Sequence, residues 1–233
     1  MASSTREEIR AGLRDTWVVG LGLIPLGTAF GLLMTQAGFA WWWTPIFSFI
    51  IYAGSMEFLA IGLVLSATGP LSAAVTGLMV NFRHIFYGLT FPRDLISSKL
   101  GRAYATYSLT DEGYAIASTT RPRSGARVLT ILAACQALWV LPGIAGALLG
   151  HAVPDSIQGV EFALTALFIV LAYEALASAR DASAVILAAV LAVVATIIVP
   201  GNMLMVALLA YFGVMLARYH RPRLDAALRW EVK

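Results

Sequence analysis

The stretch TPIFSFIIYAGSMEFLAIGLVLSATG, residues 44–69, is apolar almost throughout and carries Glu57 near its middle. An acid near the centre of a bilayer costs about 2.5–3.5 kcal/mol on insertion scales. Such a residue needs an internal partner or a water-filled cavity. The next apolar segment supplies candidates: LMVNFRHIFYGL, residues 78–89, carries Asn81, Arg83 and His84. Acid, guanidinium, imidazole and amide in consecutive apolar segments predict a polar path inside a membrane protein, and so a transporter.

Composition agrees. The 233 residues are 59% hydrophobic and only 12% charged, with a mean hydropathy of +0.79. Soluble domains run about 45–50% apolar and about 25% charged. The fold class expected is all-α, a polytopic helical bundle in the membrane with six or seven transmembrane segments. Seven apolar segments are legible, at about 17–35, 44–67, 70–90, 127–149, 157–177, 182–199 and 202–217. They define a single transport domain over 17–217. A short amphipathic lead-in (1–16) precedes it and a basic tail (218–233) follows it.

The basic residues set an orientation. Arg6, Arg10 and Arg14 precede the first segment, and Arg93, Lys99, Arg102, Arg121 and Arg123 lie in the polar connection 91–126. Arg218, Arg221, Arg223, Arg229 and Lys233 follow the last segment. Positive-inside counting therefore places both termini and 91–126 in the cytoplasm. The aromatic run Trp41–Trp43 suits the opposite interface. Two cytoplasmic ends need an even number of crossings, which the first three segments violate. At least one of them is expected to be broken or re-entrant. Gly54 in YAGS and Pro25 are the best candidates for helix breaks.

A weak internal repeat is visible. GLIPLGTAFGLL at 22–33 echoes WVLPGIAGALLG at 139–150, SMEFLAIGLVL at 55–65 echoes GVEFALTALFI at 159–169, and SAAV at 72–75 echoes SAV at 183–185. Related halves with a site at broken helices are a transporter design. In that scheme Glu161 is the second-half counterpart of Glu57.

Each polar residue also has a plainer reading. Glu57 serves equally as a hydrogen-bonded carboxyl that pins two helices. Arg83 lies about twelve residues into its segment and can snorkel to headgroups. His84 has a near-neutral unperturbed pKa and suits a proton relay, or a simple helix–helix hydrogen bond. Asp111 and Glu112 in SLTDE read as the first turn of a helix capped by Thr110 or Ser108, or as a cytoplasmic gate. The one cysteine, Cys135, permits no intrachain disulfide. No nucleotide, metal-ligand or nucleophile motif is legible. No cofactor and no enzymatic activity are expected.

The motifs IIYAGSMEF (50–58), NFRHIFYG (81–88) and SLTDEGYA (108–115) resemble the AzlC family, and GVEFALTALF (159–168) fits less strongly. The resemblance covers about residues 14–217. It implies the large subunit of a two-component bacterial exporter of branched-chain amino acids, driven by the proton motive force. The implied partner is a small membrane protein of the AzlD type, and the implied location is the cytoplasmic membrane. Two positions depart from the family pattern: Glu57 stands where Gln is frequent, and Asn81 where Asp is frequent. The expectation is that one acid is thereby kept near Arg83 and His84.

The expected substrate site is Tyr52, Gly54, Ser55, Glu57, Asn81, Arg83, His84 and Tyr87. Glu57 or His84 would carry the coupled proton, and Arg83 would pair with Glu57 or with the substrate carboxylate. Asp111 and Glu112 would gate. The rival reading is a membrane scaffold or binding subunit whose partner does the transport.

Overall fold

Ser4 opens the first helix, α1 (Thr5–Gln36), with a reciprocal capping box: its side chain accepts from the Glu7 N–H, and the Glu7 carboxylate accepts from the Ser4 N–H. The computed structural model describes residues 4–150 and 180–230, together with Ala152, Phe162, Thr165, Ile169, Ala172, Tyr173, Leu176 and Ala177. The expected segment at 157–177, and with it Glu161, lies outside the described residues or among those isolated positions. Every regular element among the described residues is helical. The protein is an all-α membrane protein, and three helices are long and apolar enough to cross a bilayer: Thr5–Gln36, Gly125–Gly150 and Pro200–His220.

The chain forms two compact units, Met1–Gly62 with Asn81–Ala163, and Leu63–Val80 with Leu164–Lys233. In the first, α1 packs along α8 (Gly125–Gly150). The two run parallel: Gly12 faces Thr130, Gly20 faces Leu138, and Gly150 faces Thr35. Both helices contain a proline, Pro25 and Pro142, without breaking. Pro25 is thus not the helix break the sequence suggests. A proline removes one backbone hydrogen bond, and a membrane helix packed on a neighbour tolerates that loss.

Glycine makes this packing close. A Cβ at Gly31 would collide with the Gly143 carbonyl, and one at Gly146 with the Thr28 carbonyl. Membrane helices gain from such contact through dispersion rather than through expulsion of water. At the shared N-terminal end, Arg127 binds Asp15 (Nε to Oδ2, 2.7 Å) and the Ser124 hydroxyl donates to Glu8 (2.7 Å). The two stretches of the first expected echo, 22–33 and 139–150, therefore sit on two parallel helices in contact.

The second and third apolar segments are each broken. The second divides into α2 (Trp43–Ile50) and α3 (Gly54–Leu65), and the third into α4 (Pro70–Val80) and α5 (Arg83–Thr90). At 1.5 Å per residue none of the four spans the roughly 30 Å hydrocarbon core alone. The polar connection 91–126 is mostly helix: α6 (Lys99–Tyr107) and α7 (Asp111–Thr120) follow a short 3-10 turn at Arg93–Leu95. Thr110 caps α7, accepting from the Gly113 N–H.

In the second unit α9 (Ala182–Ile198) packs on α10 (Met203–His220), which also meets α4 and α11 (Pro222–Leu228). Arg218 is buried at the end of α10, with its side chain 3% exposed. It donates to Asp181 (2.7 Å), Asp225 (2.8 Å) and Ser183 (3.1 Å). Asp181 also caps α9 and accepts from the Trp230 N–H. The basic tail is thereby clasped to the start of α9.

This clasp has a pH signature. Burial pushes the Asp181 carboxyl up, but hydrogen bonds from Ser183, Arg218 and the Trp230 N–H, with the guanidinium charge, outweigh it and hold it at about 2. The unfolded value is about 3.9. Its stabilisation is therefore fully present above the unfolded value and lost as pH falls through the folded one. Acid titration of unfolding should show a loss of stability between about pH 4 and 2 that Asp181→Asn lacks. An identical acid profile for the variant would show that the clasp is not formed.

Candidate functional site

The break between α2 and α3 is built on a strained residue. Tyr52 has φ 41°, in the left-handed region, where a non-glycine residue costs about 1–3 kcal/mol. Tyr52 and Ala53 are both buried there. The break leaves carbonyls at the end of α2 and N–H groups at the start of α3 without helical partners. One is satisfied from outside: the Tyr107 hydroxyl donates to the Phe49 carbonyl at 2.7 Å. Gln136 Nε2 donates to that hydroxyl at 3.1 Å, and the Tyr104 hydroxyl donates to Gln136 Oε1 at 2.8 Å. A polar chain thus runs from α8 and α6 to the broken backbone.

Glu57, in the first turn of α3, is completely buried. The Ser48 hydroxyl of α2 donates to it at 2.6 Å. The Trp139 indole N–H of α8 donates to both carboxylate oxygens, at 3.0 and 3.1 Å. Phe30 and Phe58 pack against the Trp139 ring, with centroids 6.0 and 6.2 Å away. One carboxyl therefore ties together the two halves of the broken segment and the long helix α8. Gly54 leaves room for this: a Cβ there would come within 3.0 Å of the Trp139 ring.

The expected pairing of Glu57 with Arg83 does not occur. Arg83 reaches Asp111 instead, with Nε to Oδ1 at 2.8 Å and Nη2 to Oδ2 at 2.5 Å. Chain neighbours supplied the expectation, but α7 brings a carboxylate to the start of α5 with the two-pronged geometry guanidinium favours. Nor does Glu57 replace an acid beside His84. The His84 ring meets the Asn81 carbonyl at 3.1 Å. Tyr87 meets the His84 ring, with centroids 5.4 Å apart, and stacks on Tyr114 at 4.4 Å. The Asn81 amide oxygen is buried and has no hydrogen-bond partner among the described residues, as befits an acceptor at the second break.

The eight expected site residues therefore fall into two groups. Tyr52, Gly54, Ser55 and Glu57 form one break, and Asn81, Arg83, His84 and Tyr87 the other. The start of α7 joins them. Asp111 serves the Arg83 group, while Thr110 and Glu112 line a small cavity with Leu23, Tyr52, Gly54, Cys135 and Trp139. That cavity is about 20 Å³, room for one water-sized group. Sequence reading missed Ser48, Trp139 and Tyr107. The available signal was chemical: a buried carboxyl needs donors, and Ser48 and Trp139 carry N–H or O–H groups inside apolar segments.

The family model described as AzlC protein matches residues 18–153. The chain is 31% identical over 219 residues to the branched-chain amino acid transport protein AzlC of Bacillus subtilis, covering 90% of this chain and 86% of that one. It is 32% identical over 155 residues to an uncharacterized membrane protein of Haemophilus influenzae, covering 64% of each. With the inner membrane protein YgaZ of Escherichia coli it shares 29% over 160 residues, 66% of this chain and 65% of that one. No solved structure matches at comparable significance.

The Glu57 contacts predict an order of stabilities. Trp139→Phe removes the indole donor and should destabilise the purified protein by about 1–3 kcal/mol. Glu57→Gln keeps an acceptor for the indole and a donor for Ser48, and should lose less. Thermal unfolding in detergent measures both. The reverse order would show that the indole contact is not what holds the carboxyl.

Proposed function

We propose that this chain, which belongs to the AzlC family, is the large subunit of a secondary active exporter of branched-chain amino acids. What carries the reading is the similarity over most of its length to a relative named a branched-chain amino acid transport protein. The geometry supports it. Two consecutive apolar segments are broken at mid-length, and broken helices at membrane depth are where secondary transporters bind substrates and ions. Unpaired N–H groups at a helix start suit a carboxylate, and aromatic and aliphatic walls suit an aliphatic side chain.

The binding residues proposed are Tyr52, Gly54, Ser55 and Glu57 at the first break, with Asn81, Arg83, His84 and Tyr87 at the second. The Arg83–Asp111 ion pair lies at the second break and is half-exposed, at 36% and 34%. It acts as a gate that a substrate carboxylate opens by competing for Arg83. Glu57 or His84 exchanges the coupled proton. A proton on Glu57 would change what its oxygens can accept from Ser48 and Trp139, so proton binding there would be linked to the geometry of the break. The chain works with a small AzlD-type subunit in the bacterial inner membrane. Both termini face the cytoplasm, a reading supported by α1 and α8 starting from the same end.

Efflux from cells preloaded with a branched-chain dipeptide tests this. Cells expressing the chain with its small partner should release valine, leucine and isoleucine faster than control cells, and an uncoupler should abolish the gain. No gain for any aliphatic amino acid, with both proteins verified in the membrane, would remove the substrate assignment. Glu57→Gln that exports unchanged at every proton gradient would leave His84 as the coupling group.

A further inference from the structure

The start of α7 presents two adjacent carboxylates, and the structure treats them differently. Asp111 is neutralised by the two-pronged contact with Arg83. Glu112 faces the small cavity beside the first break, and among the described residues no Lys, Arg or His forms an ion pair with it. The Thr110 hydroxyl, which accepts from the Gly113 N–H, lines the same cavity. The wall opposite contains Tyr52, only 5% exposed, whose hydroxyl has no hydrogen-bond partner among the described residues. The remaining lining is Leu23, Gly54, Cys135 and the Trp139 ring. A carboxyl group beside a mostly apolar cavity, with no ion-pair partner among the described residues, offsets its burial by taking up a proton or a cation.

The size of the space selects among cations. A volume of about 20 Å³ admits one water-sized group, which is also the size of a primary ammonium. A larger group enters only as the break opens. Tyr52 adds a hydroxyl oxygen, and the faces of Tyr52 and Trp139 add π-electron density, which favours an ammonium.

We propose that this cavity is the ammonium subsite of the transport pathway, with Glu112 as counter-ion and the Tyr52 hydroxyl as a second acceptor for the α-ammonium of an amino acid. This deepens the transport reading above and rests on it. The α-carboxylate then lies toward the N–H groups that open α3, beside Gly54, and the aliphatic side chain extends from the cavity once the break opens. Glu112 is a binding residue under this assignment, not a member of the gate. Asp111 keeps the gate role through Arg83.

Cys135 makes the subsite measurable. It is the single cysteine in the chain, it lines the cavity, and it is 1% exposed. Membrane vesicles carrying the protein would be treated with three small methanethiosulfonates: neutral methyl, cationic ethylammonium and anionic ethylsulfonate. The cationic reagent should modify Cys135 at least about tenfold faster than the anionic one, and saturating valine should slow it severalfold. Glu112→Gln should remove both the charge preference and the valine protection while the neutral reagent still reacts at the wild-type rate. Glu112→Asp should retain the preference in part, and it guards against a folding defect in the first variant.

Charge preference and protection that persist in Glu112→Gln would overturn the assignment. So would a Cys135 that the neutral reagent never reaches. Valine efflux measured on the same vesicles separates the two levels of the reading. Efflux without protection of Cys135 rejects the subsite alone, whereas neither efflux nor protection rejects the substrate class.

Discussion

A carboxyl group with zero exposure inside an apolar helix pair must have its oxygens satisfied by the protein itself. Glu57 meets that constraint with one hydroxyl from α2 and one indole N–H from α8. Leaving such a group without donors costs about 1–3 kcal/mol, and more if it is charged. The local arrangement follows from this. Ser48 and Glu57 lie on opposite sides of the Tyr52–Ala53 break, so their hydrogen bond fixes the angle at which the two half-helices meet. Trp139 ties that corner to the longest packed pair in the first unit. The strain at Tyr52 is tolerated because contacts on both sides determine the backbone there.

The α1–α8 pair is the rigid element against which the breaks are set. Its helices touch through glycines, with backbone carbonyls close to the opposite backbone. It supplies Leu23, Cys135, Gln136 and Trp139 to the site. Its other partners are short, broken and polar at their ends: α2, the N-terminal turn of α3, and α7 with its Thr110 cap. Rigid rods against short segments with free backbone groups is an arrangement in which a small ligand can be bound by backbone as much as by side chains.

Much of this was legible in the residues, and the failures are physical. Glu57 stood out because its burial in an apolar run is costly. Gly54 stood out because it sits in a small, non-helical-looking motif. The Asp111–Glu112 pair read correctly as a capped first turn. Of the two partners expected for Arg83, Glu57 or a substrate carboxylate, the first is not the one it meets; Asp111 is. Hydropathy places segments in the membrane but does not say which face of which helix meets which, and α7 reached Arg83 across 28 positions of chain. Trp139 was missed because tryptophan in an apolar segment reads as bulk rather than as a donor. Pro25 was over-read, since neighbouring helices satisfy the backbone groups that a proline frees in a membrane helix. Glu161 lies outside the described residues, and the second half of the repeat stays an expectation there.

Under the proposed function, the hydrogen-bonded Glu57 carboxyl shapes the substrate site through the geometry of the break. The most direct test of this is equilibrium binding of radiolabelled valine to purified protein, compared between wild type and Ser48→Ala. Ser48 does not line the cavity, so it can influence valine only through Glu57 and the meeting of α2 with α3. Binding weaker by about tenfold, equivalent to about 1.4 kcal/mol, is expected, with the protein still folded. Equal affinity in the folded variant would contradict that reading and leave Glu57 as a helix pin with no bearing on the site.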